Sequence, residues 1–377
     1  MNKFWLLVLA WAPCLWGTTT DGTMWGGTIG RSGDYPTAGV PTAPNLLWST
    51  LLDGPIATTP APAPTRVYVA TTRGTFYALD RTTGLVVWKR ALRPPTYGSP
   101  AVDVASDRVF VSDGRGLHAF VASTGAELFF SPAAGPVLSS AGENASIVFV
   151  GVNAGVLKAE MGADGSPVWE SDLLAPVTAS ASIDPVNSLV YTATHEGKMV
   201  AARLADGVVA WEKEVPGTRV QFRRVPIDTT PAFDGAVLVA VNGVGELVRI
   251  VPTTGDLVWS VPSECLYGVS PTLAHSNVYA VLAGATLMAL DPTDGSEVWR
   301  YVADANLAAR SVANTDGLTD SVYIADVLGC LYALDPTDGS ERWRYETHGG
   351  FYSDVAVSEG VVFAGTLGGM LFALEEP

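Results

Sequence analysis

The chain has 377 residues, with 22 Lys and Arg against 38 Asp and Glu, a formal net charge of −16. That charge repels phosphate backbones and no basic run exceeds Arg223-Arg224, which excludes nucleic acid as a partner. Charged residues make up 16% and hydrophobic residues 48%, so the chain has enough apolar surface to build a large core, and intrinsic disorder is excluded.

At the N-terminus, Lys3 followed by the apolar run Phe4 to Ala12 reads as an export signal, too short to span a bilayer. Ala10-Trp11-Ala12 has the small-x-small form of a cleavage site but precedes Pro13, and Gly17 offers a later one; the signal is assigned to residues 1–17. Cys14 closes the apolar run and is a candidate lipid tether, with Pro13 standing where a small residue is expected. No other run reaches the ~18–20 apolar residues of a membrane helix, so no transmembrane span is expected. In an oxidising compartment Cys265 and Cys330 either form a bridge or remain two buried small residues. His118, His195, His275 and His348 lie far apart and no Cys-x-x-Cys occurs, so nothing has zinc spacing.

From residue 77 onward the chain repeats itself. Tyr77 to Trp88, Met288 to Trp299 and Tyr332 to Trp343 share the pattern apolar-Ala-Leu-Asp-x-Thr-x-Gly-x-x-x-Trp. The glycines at 84, 125, 165, 207, 255, 295 and 339 mark seven copies, each with an aromatic residue four positions later. Each unit carries four short strand signals, as in Ser99–Val102, Val109–Val111, Leu117–Phe120 and Glu127–Phe130. Asp-x-Thr-x-Gly reads as the turn between the third and fourth: Asp and Thr side chains bond nearby amides, and Gly supplies positive φ. Units of about 40 residues with four antiparallel strands predict propeller blades.

The two ends complete an eighth unit. Asp354–Val357, Val361–Ala364 and Met370–Leu374 supply three strands with no following Gly or Trp, while Asn45–Ser49 carries Trp48 at the register of Trp88. The prediction is an all-β, eight-bladed ring closed by pairing an N-terminal outer strand with C-terminal strands, which leaves no long open edge. Trp48, Trp88, Trp169, Trp211, Trp259, Trp299 and Trp343 are read as structural residues that fill the gaps between blades. Asp291 and Asp335 are read as turn formers, since their spacing lacks the alternating ligands of a calcium loop.

The repeat resembles the tryptophan-docking repeat of the pyrroloquinoline-quinone-type eight-bladed propellers. The stretch from Trp25-Gly26-Gly27 through Arg31-Ser32-Gly33 to Leu47-Trp48 is similar to the N-terminal strap of that superfamily, and the resemblance covers residues 24–377. After the signal at 1–17, it implies a strap at 18–44 and a single propeller domain at 45–377. One branch comprises quinoprotein dehydrogenases, longer chains that hold the quinone and calcium in the propeller axis under an adjacent-cysteine disulfide. The compact form of this chain, without adjacent cysteines or long insertions, is more similar to the scaffold branch found in the outer-membrane β-barrel assembly machinery. That resemblance implies an exported protein with a protein or peptide partner, no cofactor and no catalytic residue.

Blades are occupied with packing, so function is sought on the loops and in the channel. In a regular meander, the loop into each first strand and the turn between the second and third strands share one face, opposite the Asp-x-Thr-x-Gly turns. Tyr97, Phe222, Arg223, Arg224, Tyr267 and Tyr352, with Phe351, are assigned to that face as candidate partner-binding residues, aromatic and Arg side chains being common interface anchors. The alternative is that the aromatics pack on their own loops and that Arg223-Arg224 is a solvated pair. Arg310, set in the Pro position of the Ser-Pro repeat, and Asp354, set in the Ser position, are expected to face one another as a channel ion pair. The leading reading is an exported, non-catalytic, monomeric propeller that binds a protein or peptide at the cell envelope; the alternatives are a quinone-binding dehydrogenase-like propeller and a carbohydrate-binding surface propeller.

Overall fold

A computed structural model describes residues 26–94, 96, 98–133, 142–144, 147–215, 219–220, 223–224, 229–265, 269–307, 309–347 and 349–376; at 142–144, 219–220 and 223–224 it describes the backbone alone. The expected signal segment and Cys14 lie outside these residues. The described residues form strands and turns without a helix, and so no helix long and apolar enough to cross a membrane occurs among them.

Seven four-stranded antiparallel sheets follow in chain order, blades 1 to 7, spanning 61–91, 101–132, 142–172, 182–214, 232–262, 272–302 and 312–346. Blade 8 takes three strands from 356–375 and its outer strand from Asn45–Leu51, with Trp48 opposite Ala373 and Leu51 opposite Met370. The ring is therefore closed as the repeat predicts.

Burial within a blade explains the composition. Inner, second and third strands are sandwiched between neighbouring blades and read as continuous apolar runs, such as Val67 to Ala70 and Phe76 to Leu79, whereas outer strands such as Val86–Ala91 bury little besides their Trp. Each of the eight hydrophobic clusters lies between two adjacent blades; the one between blades 1 and 2, for example, joins Tyr68, Phe76 and Trp88 to Val109 and Phe120. The core is thus eight interfaces arranged around an axis.

The Asp-x-Thr-x-Gly turns form as the residue types require. Asp80 Oδ1 accepts hydrogen bonds from the amides of Thr82 and Thr83, and the Gly84 amide donates to the Asp80 carbonyl at 2.9 Å. Gly84 has φ +68°, and a Cβ there would stand 2.5 Å from Cε3 of Trp48 in the preceding blade. Two constraints meet at that glycine: the left-handed turn and the close approach of the indole.

The Trp side chains link successive blades. Trp48 Nε1 donates to the Arg81 carbonyl at 2.8 Å, Trp88 to Ala122 at 2.9 Å, Trp169 to Leu204 at 2.8 Å and Trp211 to Pro252 at 2.8 Å. Trp259 and Trp299 donate to Pro292 and Pro336, each at 2.9 Å. Each acceptor belongs to the third-to-fourth-strand turn of the next blade. Blade 8 has no such turn, since its outer strand comes from the other end of the chain, and Trp343 of blade 7 instead donates to the Val40 carbonyl at 2.7 Å.

Every outer strand also carries a register shift beside its aromatic residue: Ala78 pairs with Trp88 but Leu79 pairs with Val86. The same shift recurs in the other seven blades. These bulges twist the outer edge and disfavour edge-to-edge association.

Two expected boundaries differ. The first strands of blades 2 and 8 begin at Ala101 and Ala356 rather than at Ser99 and Asp354, because those two side chains accept bonds from the preceding blade instead. The wide interval before blade 5 contains a two-stranded hairpin, Arg219–Val220 with Arg223–Arg224.

Two substitutions separate packing from hydrogen bonding at the blade interfaces. Trp48→Ala is expected to cost about 3–5 kcal/mol in urea unfolding, and Trp343→Phe, which keeps most of the ring, about 1 kcal/mol. Equal losses at the two positions would contradict this division.

Candidate functional site

The axis of the ring holds the protein's own chain. Residues 26–40 enter between the inner strands, and the strap carbonyls serve as acceptors for amides that line the channel. Ile183 N donates to Ile29 O at 2.9 Å, Phe233 N to Gly30 O at 2.8 Å, Leu273 N to Ser32 O at 2.6 Å and Ala313 N to Gly33 O at 2.9 Å. Four consecutive blades, 4 to 7, are thereby tied to four strap residues, Ile29, Gly30, Ser32 and Gly33. Asp34–Tyr35 then pairs in parallel with Ala313 and Asn314.

Beyond Tyr35 the strap leaves on the side of the first-to-second-strand turns. Glu359 N donates to Thr37 Oγ1, Gly360 N to Ala38 O, and Val40 N to the Tyr323 hydroxyl at 2.7 Å, which delivers the Val40 carbonyl to Trp343. Strap side chains join the interblade cores: Tyr35 and Val40 between blades 7 and 8, and Ile29 on the clusters flanking blade 3.

Two arginines share this channel. Arg31, fully buried with φ +57°, holds its left-handed backbone through its amide bond to Thr28 O and donates from Nε to Ala181 O at 3.2 Å. Arg310 donates from Nε to Thr272 Oγ1 at 3.1 Å and from Nη2 to the Arg31 carbonyl. Burial, and next the Arg310 charge, pull the Arg31 guanidinium down to about 9; burial pulls Arg310 to about 10 against the opposing attraction of Asp354.

The sequence places Arg310 in the Pro position, and the structure corrects this. Arg310 N donates to Asp354 Oδ1 at 2.9 Å, as Thr59 N does to Ser99 Oγ and Thr230 N to Ser270 Oγ. Arg310 therefore occupies the Ser position, one step along a belt of bonds joining the upper ends of adjacent inner strands. Asp354 fills the same position in blade 8 with a charge. The two residues are in contact, but the contact shown here runs through the Arg310 main chain, while its guanidinium reaches to the strap.

The loop face is partly described. Tyr97, Phe222 and Tyr267 lie outside the described residues, and Arg223 and Arg224 are described as backbone only. Phe351 is not a surface residue: it is 1% exposed, its amide donates to the Asp326 carbonyl, and its ring belongs to the core between blades 7 and 8. Its neighbour Tyr352 points outward, 58% exposed. Around it, Val327, Leu328 and Leu367 are 41%, 75% and 45% exposed. They stand on loops joined by bonds from Leu367 N to Gly350 O and from Thr347 N to Gly329 O, which set the four side chains on one rim. Sequence reasoning passed over the three aliphatics. The signal was available: the corresponding turn centres of blades 1 and 4 are Thr72-Arg73 and His195-Glu196, whereas blade 7 has Val327-Leu328.

Cys265 and Cys330 are free thiols. Cys265 packs between blades 5 and 6, with Sγ 3.0 Å from Ser263 Oγ, and Cys330 lies against the core between blades 6 and 7. Among the described residues no group of three His, Cys, Asp or Glu side chains is placed to hold a metal ion.

These observations define the class: an eight-bladed propeller whose channel is threaded by its own N-terminal strap. The chain belongs to the family described as outer membrane protein assembly factor BamB, which it matches over residues 41–102, 94–301, 219–326 and 317–376. The outer membrane protein assembly factor BamB of Shewanella oneidensis is 24% identical over 293 residues, 72% of either chain. In fold, the crystal structure of BamB from Moraxella catarrhalis superposes with a TM-score of 0.74 at 19% identity, covering 88% of this chain and 100% of that one. The quinohemoprotein alcohol dehydrogenase of Comamonas testosteroni gives 0.77 at 13% identity, covering 95% and 81%. The dehydrogenase likeness, at 13% identity, is one of fold alone, whereas the family match rests on the sequence.

A quinone does not fit the described part of the axis. A single added Cβ would come within 2.1 Å of the Phe233 carbonyl at Gly30 and within 2.6 Å of Arg310 Nη2 and Thr272 Oγ1 at Gly33. At these two contacts the axis has no room for a fused ring system.

Asp34 makes the strap sensitive to pH. Its carboxylate accepts from Thr315 Oγ1 at 2.8 Å, yet burial, with the nearby charges of Asp320 and Asp234, raises it from 3.8 to about 7. A folded-state value above the unfolded one means a contribution intact below 3.8 and lost as pH rises through about 7. The stability difference between wild type and Asp34→Asn, followed by denaturant melts, should therefore shift in favour of Asn between pH 4 and 8. A difference that stays constant would contradict the burial of this carboxyl.

Proposed function

We propose that this chain is an exported, non-catalytic scaffold of the cell envelope that binds a protein or peptide partner through its loop face. The observation that carries the reading is the exposed aliphatic and aromatic rim of blades 7 and 8, formed by Val327, Leu328, Tyr352 and Leu367. Apolar side chains gathered on loops over a rigid scaffold are a usual mark of an interaction surface. Family membership supports the assembly role, and the relatives' description as outer membrane protein assembly factors supports an envelope location. The export signal at 1–17 and a lipid tether at Cys14 are in keeping with that compartment, and a ring that closes on itself suits a monomer.

Two other readings are weaker. A carbohydrate site needs several exposed aromatic planes in one groove; on this rim Phe351 is buried and Tyr352 alone stands out among the described aromatics. A dehydrogenase needs a cofactor in the axis, which the strap occupies. Arg223 and Arg224 lie on a hairpin entering blade 5, and the proposal counts them as part of the surface because two Arg residues would suit an acidic partner.

Crosslinking capture from envelope extracts tests the face. Wild-type protein should retain a discrete partner, and Leu328→Asp with Tyr352→Ala should reduce its recovery about ten-fold or more at unchanged melting temperature. Undiminished recovery by the variant would move the binding surface elsewhere.

A further inference from the structure

The strap leaves a recess on the side of the channel opposite the loop face. Between it and the inner strands of blades 4 and 5 lies a cavity of about 240 Å3. It is lined by Ile29 of the strap and by Ile183, Val186 and Phe233 of the blades, together with Asp34, which also accepts from Thr315 Oγ1, and Asp234, whose Oδ1 accepts from the Ala236 and Val237 amides. Among the described residues that line it there is no Lys or Arg. At ~30 Å3 per water it has room for a small organic molecule, although it falls below the ~300–1,000 Å3 of drug-sized pockets.

The chemistry of the lining selects the ligand. Two carboxylates with aliphatic and aromatic walls match a cation that carries a hydrocarbon stem. A bare metal ion would leave the apolar wall unused and finds no cluster of three ligands among the described residues. A neutral molecule would gain nothing from the charge of the ionised carboxylates. The groups around that carboxyl include Asp320 and Asp234, the Tyr279 phenol, and His275, which burial holds toward its neutral form and whose Nε2 donates to the Asn314 carbonyl. Asp320 lies against His275 Nε2 at 3.8 Å and outside the recess, so the charged residues of the lining are Asp34 and Asp234, both acidic, and an added positive charge is favoured there.

We infer that this cavity binds a small alkylammonium ion, its head toward Asp34 and Asp234 and its stem against Ile29, Ile183, Val186 and Phe233. Binding stabilises the ionised form of Asp34 and so releases a proton on the acid side of neutrality. The same head arrives either as a free amine or as a lysine side chain.

Titration calorimetry of the full chain with butylammonium, 1-butanol, calcium and Nα-acetyl-lysine methylamide tests this. Butylammonium should saturate one site, bind more tightly at pH 8 than at pH 6, and weaken about ten-fold or more in Asp34→Asn and Asp234→Asn. Val186→Lys, at an exposed position, leaves the core intact and should abolish binding by placing an ammonium at the rim. Acetyl-lysine binding as tightly as butylammonium would identify a protein side chain as the source, and weaker binding a free amine. Equal affinity for 1-butanol, calcium binding at the same site, or no saturable binding of either amine would overturn the inference.

Discussion

Inner-edge amides are the constraint around which this molecule is built. A ring of sheets closed at its circumference still leaves an edge of each blade facing the axis, and a buried amide without an acceptor costs on the order of 1–3 kcal/mol. The strap supplies acceptors for Ile183, Phe233, Leu273 and Ala313. To come so close it must be nearly free of side chains where it touches the wall, which is why glycine stands at 30 and 33. Where it does carry large side chains, Arg31 and Tyr35, they are wholly buried and held by the blades. The same contacts fill the axis at Gly30 and Gly33 with the strap backbone.

The strap also links the axis to the rim. Six blade interfaces are fastened by an indole donating into the next blade's turn, and the seventh lacks that turn because the chain ends have been joined in blade 8. Val40 substitutes for it. From Ile29 to Leu51 a single stretch therefore fills the channel, caps Trp343 and completes the last sheet, so that axis and circumference stand or fall together.

The fold was legible because its signals are local and repeated. Asp, Thr, Gly and Trp recur at one spacing, each position demanded by a turn or a close approach, and Trp48 at the wrong end of the chain gave away the closure. The path of the strap was not legible, since Gly26 to Val40 has no repeat and its partners lie as far as 322 residues away in sequence, as with Thr37 and Glu359. Arg310 was misplaced by one position because its neighbour is Ser311 rather than proline, and only the bond to Asp354 reveals the register. Phe351 and Tyr352 show the same limit: adjacent aromatics in a loop alternate between core and solvent, and spacing alone does not say which faces inward. The recess beside Asp34 arises from contact between segments some 150 to 200 residues apart in the chain, beyond the reach of any motif.

Amide hydrogen exchange at Ile183, Phe233, Leu273 and Ala313 tests the central claim most directly. With the strap seated in the channel, these four amides should exchange as slowly as those of the central strands, by global opening only. Exchange at the rate of solvent-exposed amides would mean that the channel is open water and that the account is wrong.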